Sequence, residues 1–404
     1  MDKNYDVVIV GGGIIGNSIA FHLAKENLKV ALINSTSLGL PASLAAAGLF
    51  QLQISELVTS TPAIKDFYHK SFEYFLNFYD ELKTLSLIKN IDLGFNQPGS
   101  LYMIFSNYEL AERELKLQEA KPFLPGATFL NKSEVHKYEP LLTQDTIGAY
   151  YYPNEGYINN PKLINTISTV NLENHIEYIN AEAVEINLKN KKIESIILSN
   201  GHMLKAEKYV LCNGVWANKL LRSVFNISEN IIQSVKGEIV QLGLPGKMPI
   251  EKVILCHEGY VVPRPATNTY ELPSILVGST TDEVNLDDKD VFCNSAAGVS
   301  FLLNLLQKIL PSCKNYPISK MWAGLRPKTR DNLPVIGTVP EITNLLLGLG
   351  HYRSGILMGP LTGKVIKELL TDGYTNTDIE FLNVKRFIEA SKVNNQKQGL
   401  LTRH

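Results

Sequence analysis

Several things are scarce in this 404-residue chain, and each scarcity removes a class of protein. Its four cysteines, Cys212, Cys256, Cys293 and Cys313, show no C-x-x-C spacing. That supports neither a zinc site nor a disulfide framework, so no metal is expected and the four are read as reduced thiols. Each is foremost a small buried hydrophobe. An excess of one charge is also missing, since 39 Lys and Arg face 40 Asp and Glu for a net −1. Nucleic acid and anionic membranes therefore have no electrostatic hold on it. No apolar run approaches the roughly 18 residues that a spanning helix needs. The opening Met1-Asp-Lys-Asn-Tyr-Asp6 lacks the cationic start of a secretory signal, so a cytoplasmic location is expected.

The length exceeds the roughly 250–300 residues at which a single core stops growing, so two domains are expected. The most informative stretch is Val7-Val-Ile-Val-Gly-Gly-Gly-Ile-Ile-Gly16, a β-branched run that breaks into glycines and then into a helical pattern. Gly11, Gly13 and Gly16 satisfy G-x-G-x-x-G: sharp turn, close approach of a pyrophosphate, and close packing of helix on strand. Ile14, Ile15, Ile19, Ala20 and Leu23 continue the helix, and Leu28 to Ile33 gives a second strand, which completes a βαβ unit of about 30 residues. A pyrophosphate is expected on the helix N-terminus, where unpaired N–H groups favour anions. The position that usually accepts the ribose hydroxyls with Asp or Glu is Asn34. A neutral amide accepts without charge assistance, so the ribose is expected to be held more weakly, or partly by Ser35. No Lys or Arg follows closely to meet a 2′-phosphate, which argues against NADP.

The next stretch, Ser35 to Phe50, is small and turn-forming and suggests something flat against the backbone. Ile64 to Ser86 is an aromatic amphipathic helix, read as core. Strands are expected at 99–105, 175–179, 183–188 and 193–198, with an Asn200-Gly201 hairpin turn. Lys208 to Asn218 reads as a buried strand, a glycine turn and a helix start. From Ile231 the chain is β-rich, with strands at 234–242, 253–256, 259–264 and 275–280, which fits an antiparallel sheet. Near the end come Ala323-Gly-Leu-Arg-Pro327, Asp331-Asn-Leu-Pro-Val-Ile-Gly337 and Gly350-His-Tyr-Arg-Ser-Gly-Ile356. A short helix with a frayed end is expected in the tail, which holds Asn394-Asn-Gln-Lys-Gln398.

These last motifs, with Ser43-Leu-Ala-Ala-Ala-Gly48, Val235-Lys-Gly-Glu238 and Tyr260-Val-Val-Pro-Arg264, resemble the D-amino-acid oxidase superfamily, most closely the glycine oxidases of thiamine biosynthesis. The resemblance spans about residues 4 to 372, with Asn332 where the family usually has Gly and Cys212-Asn213 where it usually has Ala-Gly-Ala-Trp nearby. It implies an α/β fold in which a Rossmann-like FAD-binding domain (1–90, 156–230, 319–375) interleaves with an antiparallel-sheet substrate domain (91–155, 231–318), followed by a tail (376–404). It also implies FAD as cofactor. Ala42, Ser43, Ala46, Ala47, Gly48 and Leu49 would line the flavin, with His351, Tyr352, Arg353, Ser354, Gly355, Ile356 and Leu357 where the chain crosses its ring. By analogy of fold, Val184 would offer its backbone to the adenine.

The chemistry so implied moves a Cα hydrogen as hydride to the flavin N5 and yields an imine, with O2 reduced to H2O2. No strong acid or base need touch the carbon, so the residues must orient the substrate and fix its carboxylate. Arg326 matches the family's carboxylate-binding position, and its fork suits that task; an ion-paired surface Arg is the bland alternative. Arg353 would face the substrate. Tyr260 would hydrogen-bond the carboxylate or cover the pocket, unless it is only a tyrosine of the sheet core. His351 is left outside the catalytic set. The substrate class is a small amino acid or amine. Open alternatives are a dehydrogenase passing electrons to a quinone or carrier, a demethylase of N-methyl amino acids, and a flavin-binding protein without catalysis. Oligomeric state is open, a homo-oligomer included.

Overall fold

The computed structural model describes residues 3–52, 61–85, 93–225, 230–266 and 271–388. Among them the strands form an eight-stranded and a nine-stranded sheet, with a two-stranded pair of Leu49–Phe50 and Gly156–Tyr157. The first runs Val335–Val339, Ile342–Leu349, Met203–Leu211, Lys3–Val10, Val30–Asn34, Glu177–Asn180, with Lys192–Leu198 and Ala183–Lys189 as a side hairpin. Lys3–Val10 pairs in parallel with both Val30–Asn34 and Met203–Leu211, as the βαβ reading requires. Such a strand is covered on both faces, which explains its uninterrupted apolar run. Val7 and Ile9 join the core beneath the helices Ile14–Leu23, Pro62–Thr84 and Gly355–Thr371, while Val8 and Val10 join a second core under Ala217–Phe225.

The second sheet holds Ser100–Ile104, Thr128–Asn131, Gly148–Tyr152, Ile232–Gly243, Val253–Leu255, Tyr260–Arg264, Ser274–Gly278, Asp282–Val284 and Ile318–Thr329. All its pairs are antiparallel except Val253–Leu255 with Ser100–Ile104. The Ala296–Ile309 helix covers it through Leu302, Leu305, Leu306 and Ile309. This α/β architecture of two interleaved sheets is the fold class expected.

Three expectations need adjustment. The return to the first domain, expected at 319, comes later: Ile318–Thr329 pairs with Ile232–Gly243 along nearly its whole length, and the first sheet resumes at Val335. A strand joins the sheet its edge can hydrogen-bond to, whatever motif it carries. The aromatic helix begins at Pro62, its prolyl residue sitting where no helical N–H is needed, with Phe67, Phe75 and Phe78 in the core. Its expected end at Ser86 and the boundary at 90 lie outside the described residues, as does the tail beyond Ile388 with Asn394–Gln398. Asn332, noted as standing where the family usually has Gly, has φ of 61°; asparagine is among the few residues that tolerate that region. No helix among the described residues is long and apolar enough to cross a membrane.

Candidate active site

Two connected spaces lie between the sheets. A channel runs along the glycine turn, lined by Gly11, Gly13, Ile14, Ile15, Asn34, Ser35 and Ser43 on one side and by His351, Tyr352, Arg353, Gly355 and Ile356 on the other. A cavity of about 430 Å³ continues it beneath the second sheet, lined by Ala47, Gly48, Leu49, Ser354, Leu357, Tyr260 and Arg326. Ala42, Ala46, Tyr352, Arg353 and Ile356 border both. A ligand laid along the turn therefore ends at the cavity mouth.

Tertiary hydrogen bonds assemble the channel from distant segments. The Ile14 N–H donates to Ser43 Oγ at 3.0 Å and ties the small-residue segment to the turn. Three side chains hold that segment's carbonyls: Trp322 Nε1 donates to Ala45 at 2.8 Å, Asn160 Nδ2 donates to Ser43, and Arg264 donates to Ala47. Asn34 Oδ1 accepts the Gly12 N–H at 3.3 Å, so the amide closes the glycine turn while it lines the channel. The Ser35 hydroxyl is shared with Ser37 at 2.8 Å. Gly16 lines neither space. A Cβ there would stand 1.8 Å from the Gly11 carbonyl oxygen, so its part is close packing of the helix on the turn.

Ala181, Glu182 and Ala183 make the channel wall, and Val184 lies one residue beyond it, at the start of the hairpin strand. Position along the strand, which sequence leaves loose by a residue or two, decides which backbone faces the groove. Conversely, Cys212 to Trp216 line the channel directly. Asn213 Oδ1 is buried there with no hydrogen-bond partner, and an orphaned acceptor in a groove asks for a ligand donor. Glycine backbone, a free helix start and this acceptor suit a dinucleotide such as FAD, its hydroxyls and pyrophosphate finding donors and acceptors already in place. The departure from the family pattern at Cys212-Asn213 was the visible signal.

In the cavity the two arginines meet because the Tyr352 N–H donates to the Pro327 carbonyl at 3.0 Å, beside a bridge between Lys328 and His351. Arg326 is half-buried; it donates to Ser279 Oγ at 2.5 Å and to the Lys236 and Thr280 carbonyls at 3.2 and 3.3 Å. Gly237 makes room, since a Cβ there would stand 2.1 Å from the guanidinium. Burial lowers the Arg326 pKa, the Arg353 cation adds to that, and the neighbouring Tyr260 phenol opposes it. Arg353 is exposed and donates to Thr281 Oγ1 at 3.1 Å. Among the described residues no carboxylate pairs with Arg326, so this end of the cavity is an uncompensated positive pole.

His351 is buried, with Nε2 3.0 Å from Thr362 Oγ1, and burial lowers its pKa to about 3. It is neutral at ordinary pH and does not serve as a titrating base. Residues not singled out from sequence occupy the far wall: Tyr102, Arg113, Lys116, Glu155 and Glu258. Tyr102 comes from the second sheet, Arg113 and Lys116 from the Asn107–Ala120 helix, and Glu155 and Glu258 from connections after strands of that sheet; no motif marks them.

A mixed sheet whose central parallel strands carry a glycine turn, with a channel that continues into a cavity lined by Arg326, is the arrangement of a dinucleotide-binding fold. The profile of the DAO family, described as FAD dependent oxidoreductase, matches residues 6–369, and the chain belongs to that family. It is 29% identical over 391 residues to the glycine oxidase of Geobacillus kaustophilus, covering 96% of this chain and 98% of that protein. It is 30% identical over 370 residues to the bifunctional protein ThiO/ThiG of Nostoc sp., covering 91% of this chain and 53% of that protein. The chain thus spans about half the length of the ThiO/ThiG relatives it matches. The crystal structure of the Geobacillus kaustophilus glycine oxidase has a TM-score of 0.83 to it at 27% identity, covering 94% of this chain and 98% of that one. FAD is the family's cofactor, and the protein is an FAD-dependent oxidoreductase.

Proposed function

We propose that the protein oxidises a small amino acid or amine in the manner of a glycine oxidase, to an imine that hydrolyses to ammonia and an oxo acid, with O2 reduced to H2O2. The observation that carries this is the Arg326 guanidinium, aimed into a cavity continuous with the cofactor channel and matched by no carboxylate among the described residues. When bound, FAD supplies the hydride acceptor. Arg326 binds the substrate carboxylate through its remaining N–H groups, and Tyr260 packs beside it as a second polar contact. Arg353 guards the mouth, its fork steadied by Thr281. Ala46, Ala47 and Leu49 make the small, apolar wall against which a flat ring packs and from which water is excluded. In this reading the eight-stranded sheet carries the cofactor and the nine-stranded sheet the substrate, in the cytoplasm. Likeness to ThiO/ThiG supports delivery of a glycine-derived imine to thiamine biosynthesis.

The test is anaerobic addition of glycine, N-methylglycine and D-alanine to the flavin-loaded protein while the oxidised flavin band is followed. Bleaching by one of them is expected, with H2O2 released on admitting air. Arg326→Ala should lower kcat/KM by on the order of 10³, because a buried charge contact contributes roughly 4 kcal/mol. A flavin band that neither these three nor an acidic amino acid bleaches would overturn the reading.

A further inference from the structure

The cavity has a second cation at its far wall, and the reading above gives it nothing to do. Arg113, half-buried on the Asn107–Ala120 helix, lines the same cavity as Arg326. Its Nε donates to the Tyr152 hydroxyl at 3.1 Å, and its guanidinium carbon lies 3.6 Å from the centroid of the Tyr102 ring. Stacking and hydrogen bond together fix the plane of the fork. Among the described residues, neither terminal nitrogen of Arg113 makes a hydrogen bond.

The other charges of this wall are matched. Lys116 pairs with Glu112 at 2.5 Å, and Glu258 pairs with Lys308. Glu155 lies within electrostatic reach of Arg113 but accepts the Ser100 hydroxyl instead. Its burial raises its pKa to about 7, so at neutral pH a large share of it bears no charge to offset the guanidinium. The far wall keeps a rigid, donor-rich cation with two free prongs facing the space where a substrate's other end would lie. Glycine, which has no other end, uses none of this.

We propose that Arg113 is a second carboxylate clamp, and that the cavity selects amino acids or amines carrying an additional acidic group remote from the carboxylate held by Arg326. The inference rests on the reading of Arg326 as the first clamp. Two guanidinium groups facing one cavity would hold a dianion at both ends and present the nitrogen-bearing carbon between them to the channel mouth. The specificity so gained is geometric: only chains whose length spans the two clamps collect both contacts.

The experiment titrates the flavin-loaded protein with unreactive carboxylates, acetate and then malonate, succinate, glutarate and adipate, reading Kd from the perturbed flavin spectrum. One length in the dicarboxylate series should bind at least about tenfold more tightly than acetate, as a bidentate charged contact warrants. Arg113→Gln should collapse that ratio toward one, and Arg113→Lys, which keeps charge but not the fork, should leave an intermediate ratio. An unaltered flavin spectrum in both variants establishes that they are folded and loaded. If acetate perturbs the flavin but every dicarboxylate binds no more tightly, or if Arg113→Gln keeps the ratio, this inference alone falls. If acetate itself fails to perturb the flavin, the Arg326 reading falls and this inference falls with it.

Discussion

Along the channel, most of the contacts offered to a ligand are backbone groups and small side chains; in the cavity they are guanidinium, phenol and carboxyl groups brought by long side chains. The glycine turn beside the channel tolerates almost no added volume, because a Cβ at Gly11 would meet the Cys212 backbone and one at Gly16 the Gly11 carbonyl. The cavity tolerates almost no change in charge balance, because Arg326 and Arg113 are partly buried and matched only by neutral groups or π-faces. A substitution should therefore act sterically on cofactor retention in the first region and electrostatically on substrate and pH response in the second.

The largest effect is expected at Gly16→Ala. The new Cβ would collide with the Gly11 carbonyl, a backbone atom that cannot step aside, and destabilisation of about 3 kcal/mol or more with loss of bound flavin should follow. Flavin content after purification checks it, and a fully loaded variant would break the steric side of the comparison.

Glu155→Gln tests the electrostatic side. The Glu155 carboxyl is raised from 4.5 to about 7 by burial, so the folded chain holds that proton more tightly than the unfolded chain. Its stabilising contribution is full below about pH 4.5 and is lost as pH rises through 7. Relative to wild type, Glu155→Gln should gain roughly 2–3 kcal/mol on going from pH 5 to pH 8. Urea unfolding of both proteins at the two pH values measures it; a constant difference would remove Glu155 as a buried titrating group.

A smaller effect sharpens the channel wall. Asn213→Ala removes the orphaned acceptor and should weaken FAD binding about five- to tenfold, the worth of one hydrogen bond. Titration of the apoprotein by flavin fluorescence reads it, and an unchanged Kd would mean that Asn213 meets no group of the cofactor.

The glycine turn was legible because its chemistry is local: strand, turn and helix lie within one unbroken stretch, and backbone donors need no distant partner. Arg326 and Arg353 were legible through motifs, yet what brings them together is a backbone bond from Tyr352 to Pro327 that neither motif contains. Asn34 was read as a ribose contact; its hydrogen bond to Gly12 appears only when the turn folds back over the second strand. Arg113 and Glu155 escaped notice because each is, in sequence, one charged residue among many. Their burial and their sharing of a wall depend on the pairing of Ser100–Ile104 with Gly148–Tyr152 and on the helix that follows the former.

The sequence by itself determined the βαβ unit, the glycine turn between its first strand and helix, and the β-rich second half. Periodicity and glycine spacing specify local backbone shape, and local shape suffices for those features. Only the tertiary structure decided which sheet claims the Arg326 strand, which residues wall the channel beside Val184, and that Arg113 lines the same cavity as Arg326. Those outcomes depend on strand register and on contacts between residues distant in the chain, and a linear pattern carries no distances between its own far ends.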